Sequence, residues 1–181
     1  MDDPIAAVTA LRASSGVDHR DVTTEISAET WPDAPADGWV GVGGVVLSPA
    51  HDRVVLVRNH WSGDQWVFPG GGVEPVDRSL REALRREVHE ETGLEISVER
   101  PLLVESQTYV HEDEPARSFE GWFALFQATA QGTDLADDPG ATDEEIREVR
   151  WFEEVPTAML EHADRVETVL DDVRGAEAAE T

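Results

Sequence analysis

Three glutamates on one predicted helix are the residues of this chain best suited to chemistry. Glu87, Glu90 and Glu91 stand at positions i, i+3 and i+4 of the segment RSLREALRREVHEETGL. At about 100° per residue, these positions share about one quarter of a helix circumference, with side-chain roots about 5 to 6 Å apart. The apolar residues Leu84 and Val88 fall beside them on the same wheel. The carboxylates are therefore expected to border the core rather than face open solvent.

Carboxylates placed this close repel one another, and more strongly where solvation is poor. Arg86 can pair with Glu82 or Glu90, but one guanidinium cannot neutralise three carboxylates. A hard divalent cation can, since Mg²⁺ prefers carboxylate and water oxygens and often takes phosphate oxygens of a substrate as further ligands. The spacing therefore predicts a divalent metal site.

A glycine-rich segment, Pro69-Gly70-Gly71-Gly72, precedes this helix. Consecutive glycines adopt backbone angles closed to other residues and let main-chain atoms approach a ligand closely. Backbone atoms brought to the side of an acidic helix suit a metal and phosphate site. Taken alone, however, a triple glycine is more often a flexible turn.

Local signals place these groups on secondary structure. Ser79 and Glu82 form a capping box and Gly93 supplies a stop, so a helix is predicted over about 80–92. The runs WVGVGGVVL and RVVLVR, joined by SPAHD, predict a β-hairpin. Further strands are predicted at about 65–68, 95–98, 102–110, 120–128 and 148–152, with a last helix at about 156–174.

This order of elements predicts an α+β chain whose mixed β-sheet is sandwiched between α-helices (α/β/α). Residues 1–36, with one short possible helix after Pro4, are expected to be peripheral, residues 37–174 to form the domain, and residues 175–181 to form a disordered tail.

Composition restricts the possible functions. The 181 residues carry 39 acids against 14 basic residues, all arginine, for a formal net charge of -25. Such a field disfavours non-specific nucleic-acid binding and anionic membranes. The chain has no cysteine, no long apolar run and an acidic N-terminus, so a cytoplasmic protein without thiol chemistry is expected. Acid-rich, lysine-free composition resembles the proteins of halophilic archaea that accumulate salt, because molar salt screens such repulsion.

The glutamate segment resembles the Nudix box. The family pattern is Gly, five residues, Glu, seven residues, then Arg-Glu-hydrophobic-any-Glu-Glu-any-Gly-hydrophobic. REVHEETGL, from Arg86 to Leu94, matches every specified position of the second half, and WVFPGGG matches the approach strand. One position departs from the pattern. If Gly72 is the first glycine, the residue at the position of the family's first glutamate is Arg78. If Gly71 is the first glycine, that residue is Asp77, but one extra residue then stands before Arg86.

The resemblance implies a Nudix fold and hydrolysis of a phosphoanhydride bond in a nucleoside diphosphate linked to another group, with Mg²⁺ or Mn²⁺ as cofactor. ADP-ribose, a (d)NTP, a nucleotide sugar and a dinucleoside polyphosphate all remain open as substrates, and a homodimer is common in the family. The matching metal ligands are Glu87, Glu90, Glu91 and a carbonyl of Gly70 or Gly71. Glu90, Glu91 and Arg86 match the catalytic positions, Arg86 as the residue that orients the carboxylates.

The general base stays open at this point, with five candidates: Glu90, Glu112, Glu114, Glu144 and Glu145. Tyr109 and Arg58 are expected to bind substrate. Stacking of a base on Trp61, Trp122 or Phe123 is a further option, although each is more often a core residue.

Two alternatives are weighed against this hypothesis. An isopentenyl diphosphate isomerase-like protein would rely on a cysteine that this chain lacks. A Nudix domain that senses a nucleotide without cleaving it usually loses box glutamates, whereas all three are present here. Only the departure at Asp77 and Arg78 favours the sensing domain.

Overall fold

The computed structural model describes residues 1, 3–29, 31, 38–137, 146–159 and 162–179. Its elements, in chain order, are α1 (Pro4–Arg12), β1 (Asp18–Ile26), β2 (Trp39–Leu47), β3 (Val54–Asn59), β4 (Gly70–Gly72), α2 (Leu80–Thr92), β5 (Ile96–His111), β6 (Ser118–Ala130), β7 (Ile146–Phe152) and α3 (Ala163–Ala179). Residues 32–37, most of which belong to the segment expected to be peripheral, fall outside the described residues.

The strands form one mixed sheet in the order β1-β5-β6-β2-β3-β7, with β4 paired to β2. β1 runs parallel to β5, from Asp18 opposite Leu103 to Ile26 opposite His111. β2 and β3 form the predicted antiparallel hairpin, and β7 pairs antiparallel with β3. The fold class predicted from the sequence, a mixed sheet accompanied by helices, is confirmed.

Several helices and strands differ from those predicted. The polar residues of β1, where no strand is predicted, pair with β5 along nine positions. The two strands predicted at 95–98 and 102–110 form one strand, β5. Residues 65–68 form only isolated bridges at Trp66 and Val67, and the glycine loop contributes the short strand β4. The last helix begins at Ala163 rather than near 156, and its backbone stays helical to Ala179, within the predicted disordered tail.

The chain divides into two compact units. The first comprises Met1–Val42, Gly71–Ala83 and Pro101–Leu125, and the second comprises Gly43–Gly70, Leu84–Arg100 and Phe126–Thr181. In the second unit the buried β-branched residues of β2 and β3 and the apolar face of α2 supply much of the core, including Val45, Val46, Val55, Leu84 and Val88. No helix in the described part of the chain has the length and apolarity that crossing a bilayer requires.

Candidate active site

Helix α2 begins and ends where its local signals predict. The Glu82 amide donates to Ser79 Oγ over 3.1 Å, which satisfies one of the free N–H groups of the first turn. At the other end Gly93 has φ of +76°, and its amide donates to the carbonyl of His89. A Cβ on Gly93 would stand 2.9 Å from the Cβ of Ala136. Both the backbone angle and the close packing therefore require glycine at this position.

The three glutamates border the core, as the helical wheel predicts. Leu84 and Val88 on the same helix are fully buried. The side chain of Glu87 is only 12% exposed and that of Glu90 33% exposed. A carboxylate solvated as poorly as that of Glu87 requires a compensating partner.

Arg86 supplies part of that compensation. Its Nη1 lies 2.9 Å from Glu87 Oε1 and 3.1 Å from Glu90 Oε2. One nitrogen therefore holds two carboxylates no more than about 6 Å apart. Glu82, the other expected partner of Arg86, pairs with Arg78 at 2.6 Å instead.

The glycine loop reaches the third glutamate. The Gly70 amide donates a hydrogen bond of 2.7 Å to Glu91 Oε2. Gly70 has φ of 151°, a backbone angle that side chains disfavour. The loop itself is tied to the sheet, because its Pro69 carbonyl accepts from the Gly44 amide at 3.0 Å. The loop thus contributes a backbone N–H that orients a carboxylate, a contact that the sequence did not predict.

The two residues at the departure from the family pattern have different environments. Asp77 is 5% exposed, and its Oδ2 accepts from the Glu74 amide at 2.8 Å, which closes the turn between them. Arg78 is 85% exposed and pairs with Glu82. Hydrogen bonds from the Arg78 guanidinium, and then from its amide, lower the pKa of Glu82. Asp77 is therefore the acid on the inner side of this loop, and Arg78 lies on its surface.

The other candidates for general base either form hydrogen bonds or ion pairs with other residues or lie outside the described residues. Glu112 accepts from the Ala28 amide at 2.5 Å, and Glu114 pairs with Arg117 at 3.2 Å. Both belong to the first unit. Glu144 and Glu145 lie outside the described residues.

The two predicted substrate-binding residues lie in different units. Tyr109, in the first, stacks on Phe119 with ring centroids 4.8 Å apart and donates its hydroxyl hydrogen to Gln107 Oε1. Arg58, in the second, pairs with Glu148 at 3.1 Å and lies 4.2 Å above the Trp66 ring. Its Nε is buried and has no hydrogen-bond partner among the described residues.

Two of the aromatic candidates from the sequence have different environments. Trp61 is 67% exposed in a turn, and the half-buried Trp122 lies 5.8 Å below the Arg12 guanidinium. Besides Phe119, the ring of Trp39 lies near Tyr109, with centroids 6.4 Å apart. Sequence reasoning did not single out Trp39, whose only signal was its position just before the glycine-spaced part of β2.

The donor set of the α2 face fits a hard cation. Its side-chain ligands are all carboxylate oxygens, which Mg²⁺ and Mn²⁺ prefer. Two of them already share one positive charge, that of Arg86. In the described part of the chain, no three His, Asp or Glu side chains are gathered as a finished metal site. A cation would therefore have to draw these carboxylates away from their present partners.

The family model for the NUDIX domain matches residues 39–168. The chain belongs to the Nudix family. The matched residues contain the whole α2 face, and Arg86 and Gly93 stand at the box positions beside the three glutamates.

Two relatives with known names and one solved structure are similar to this Nudix chain. It is 38% identical over 81 residues to diphosphoinositol polyphosphate phosphohydrolase 2 of Rattus norvegicus, covering 41% of this chain and 45% of that protein. It is 28% identical over 118 residues to an m7GpppN-mRNA hydrolase of Caenorhabditis elegans, covering 64% of this chain and 14% of that protein. The chain thus spans less than half the length of these relatives.

A Nudix hydrolase structure from Nitrosomonas europaea superposes with a TM-score of 0.55 at 19% identity, over 77% of this chain and 73% of that one. At this identity the likeness concerns the fold, and it agrees with the mixed sheet and three helices described above.

Proposed function

We propose that this Nudix protein hydrolyses a phosphoanhydride bond in a nucleoside diphosphate linked to another moiety, with Mg²⁺ or Mn²⁺ as cofactor. The observation that carries the proposal is the α2 face, where poorly solvated carboxylates are held together by Arg86 and by the Gly70 amide. Helix charges with only a structural role are normally solvated or paired one to one. The names of the relatives, which are phosphohydrolases and an mRNA cap hydrolase, agree with chemistry at phosphorus.

In this proposal Glu87, Glu90 and Glu91 bind the cation together with the main-chain carbonyl of Gly71. When bound, the cation supplies polarisation of a phosphoryl oxygen and a lowered pKa for an attacking water. Glu87 and Glu90 exchange part of their contact with Arg86 for this charge. Arg86 continues to orient both carboxylates from the helix side.

Glu90 is the residue that we assign as general base. Its Oε2 contacts Arg86, whereas its Oε1 has no hydrogen-bond partner among the described residues. The side chain is one third exposed, so water reaches it. Glu90 Oε1 would accept the proton of the attacking water, within the short reach that proton transfer requires. Arg58 and Tyr109 are proposed to contact substrate.

The decisive experiment is a substrate panel with matched glutamate variants. ADP-ribose, nucleoside triphosphates, nucleotide sugars and dinucleoside polyphosphates are assayed with Mg²⁺ or Mn²⁺, at low and at molar KCl, and the products are identified. Glu90→Gln and Glu91→Gln should abolish hydrolysis while circular dichroism stays unchanged. Glu95→Gln is the control, because Glu95 lies just beyond the same helix with its side chain 68% exposed. Unchanged turnover in either α2 variant would contradict the assigned ligands.

The competing function is a nucleotide-sensing domain without turnover. Saturable nucleotide binding by the wild type, without product from any member of the panel, would favour that alternative.

The assays at low and at molar KCl test a second proposal, that the protein works in the salt-rich cytoplasm of a halophile. Both activity and stability should then be higher in molar KCl, because the formal charge of -25 is screened there. A homodimer is also proposed, and sedimentation at the same salt concentrations tests it.

A further inference from the structure

The indole of Trp39 lies across the sheet on two glycines. A Cβ on Gly121 of β6 would stand 2.4 Å from both Nε1 and Cε2 of this ring. A Cβ on Gly41, two residues along β2, would stand 2.8 Å from Cζ3. Since opposite edges of the ring rest on the two glycines, the ring lies along the sheet surface. Any side chain at either position would push it away.

Hydrogen-bonding groups line the strand beside this ring. Tyr109, whose ring is tilted by 47° to the indole, donates to Gln107 Oε1, and Gln107 Nε2 donates to Glu105 Oε1. A carboxylate only accepts, so Glu105 fixes which way the Gln107 amide points. Gln107 forms no further side-chain bond with the described residues. It therefore keeps one N–H and one carbonyl lone pair for a ligand.

The ring also lies next to the glycine loop. The Cβ position on Gly41 that touches the indole is 3.5 Å from the Gly71 carbonyl oxygen. Gly71 is the carbonyl assigned above as a metal ligand, and it follows Gly70 directly in the chain. Trp39 and Gly71 belong to the same unit. A flat aromatic surface thus lies next to the loop whose Gly71 carbonyl is proposed to bind the cation.

We infer that Trp39 is the platform on which the substrate's nucleobase stacks, with Gln107 hydrogen-bonding the base edge. This inference rests on the proposed function and names the residues that would hold the nucleobase of its substrate. Aromatic faces bind every base by stacking. The half-buried Trp39 offers such a face, and its position is set by glycines.

The charge of this unit argues against a substrate without a base. Inositol polyphosphates carry many phosphates, and clusters of uncommitted arginines or lysines bind such groups. The chain has no lysine. Four arginines of this unit are paired with acids: Arg12 with Asp21, Arg20 with Glu105, Arg78 with Glu82 and Arg117 with Glu114. Stacking requires no such cluster.

The test is equilibrium binding of AMP, which needs no turnover, to the wild type and three variants by calorimetry. Trp39→Leu should weaken AMP binding about 5- to 150-fold, the range for loss of one base–aromatic stack. Trp39→Phe should retain most of the affinity. Trp61→Leu is the matched control, since its side chain is exposed. Equal affinity in Trp39→Leu and wild type, or a loss in Trp61→Leu instead, would overturn the inference.

Two further measurements complete the design. If Trp39→Leu does not fold, NMR of the wild type replaces it. The indole N–H signal of Trp39 is assigned as the one that is absent from the spectrum of Trp39→Phe. That signal must shift when AMP is added to the wild type, and an unmoved signal overturns the inference. Hydrolysis of ADP-ribose and of 5-phosphoribosyl 1-diphosphate, which has no base, is assayed in parallel. Trp39-dependent AMP binding without hydrolysis of either would refute the proposed function while the platform stands. Faster hydrolysis of the compound without a base would refute the platform alone.

Discussion

Removal of the Arg86 guanidinium should destabilise the metal-free protein and make its stability depend strongly on Mg²⁺. In Arg86→Met the charge between Glu87 and Glu90 disappears while much of the side-chain volume remains. The two carboxylate oxygens, no more than about 6 Å apart, then repel each other without a cation between them. At an effective dielectric constant of about 20, two like charges at this distance repel by about 3 kcal/mol.

The expected loss in unfolding free energy is therefore about 2 to 3 kcal/mol in EDTA at low salt. The loss should be smaller in about 1 M KCl, where the Debye length falls to about 3 Å. Saturating Mg²⁺ should return more stability to Arg86→Met than to the wild type, since the cation relieves a repulsion that the wild type has already compensated. Urea unfolding followed by circular dichroism, with EDTA or with MgCl₂, measures all of these differences.

Arg85→Met is the matched control, because Arg85 is the exposed neighbour of Arg86 on the same helix. It should change stability by less than about 0.5 kcal/mol. If Arg86→Met is as stable as the wild type in EDTA, or if Mg²⁺ stabilises both proteins equally, the carboxylates are not held together against their repulsion. The physical basis assigned to the site would then be wrong.

Three further results are expected. Gly93→Ala should lose about 1 to 3 kcal/mol of unfolding free energy, because φ of +76° and the contact with Ala136 both exclude a Cβ. The control Gly132→Ala should lose little, because a Cβ there meets no atom within 4 Å. Equal losses of the two variants in urea titrations would show that neither constraint matters. Asp77→Asn should keep both its turn and its activity, since an amide oxygen still accepts from the Glu74 amide; a loss of turnover at unchanged stability would make Asp77 the missing family acid. Unfolding free energy of the wild type should rise with KCl into the molar range, and a fall would contradict the role given to charge repulsion.

The sequence predicts best what local signals determine. Helix α2 has the predicted bounds, because Ser79 and Gly93 set its ends through contacts within a few residues. The position of the glutamates beside the core follows from helical periodicity alone. The box resemblance then supplies the family, which the match over residues 39–168 shows.

Features that depend on distant partners cannot be predicted in this way. β1 has the pattern of a polar segment because most of its side chains are exposed, and only its pairing with β5 makes it a strand. The two strands predicted at 95–98 and 102–110 leave a gap that contains Pro101, and proline lacks the N–H that a strand normally uses. The single strand β5 nevertheless continues through it. The local signal at Trp39 is only its position before the glycine-spaced part of β2, because Gly121, which lets its ring lie along the sheet, is about eighty residues away in sequence.

The strands at the two ends of the sheet order, β1 and β7, also bear on how this protein behaves at high concentration. A terminal strand presents backbone groups with which another chain can pair, and such pairing starts aggregation. β1 carries three exposed acids on this terminal strand: Asp18, Asp21 and Glu25. Two copies approaching by this strand repel each other at neutral pH. The acids of β1 therefore disfavour strand-to-strand pairing between copies of this chain.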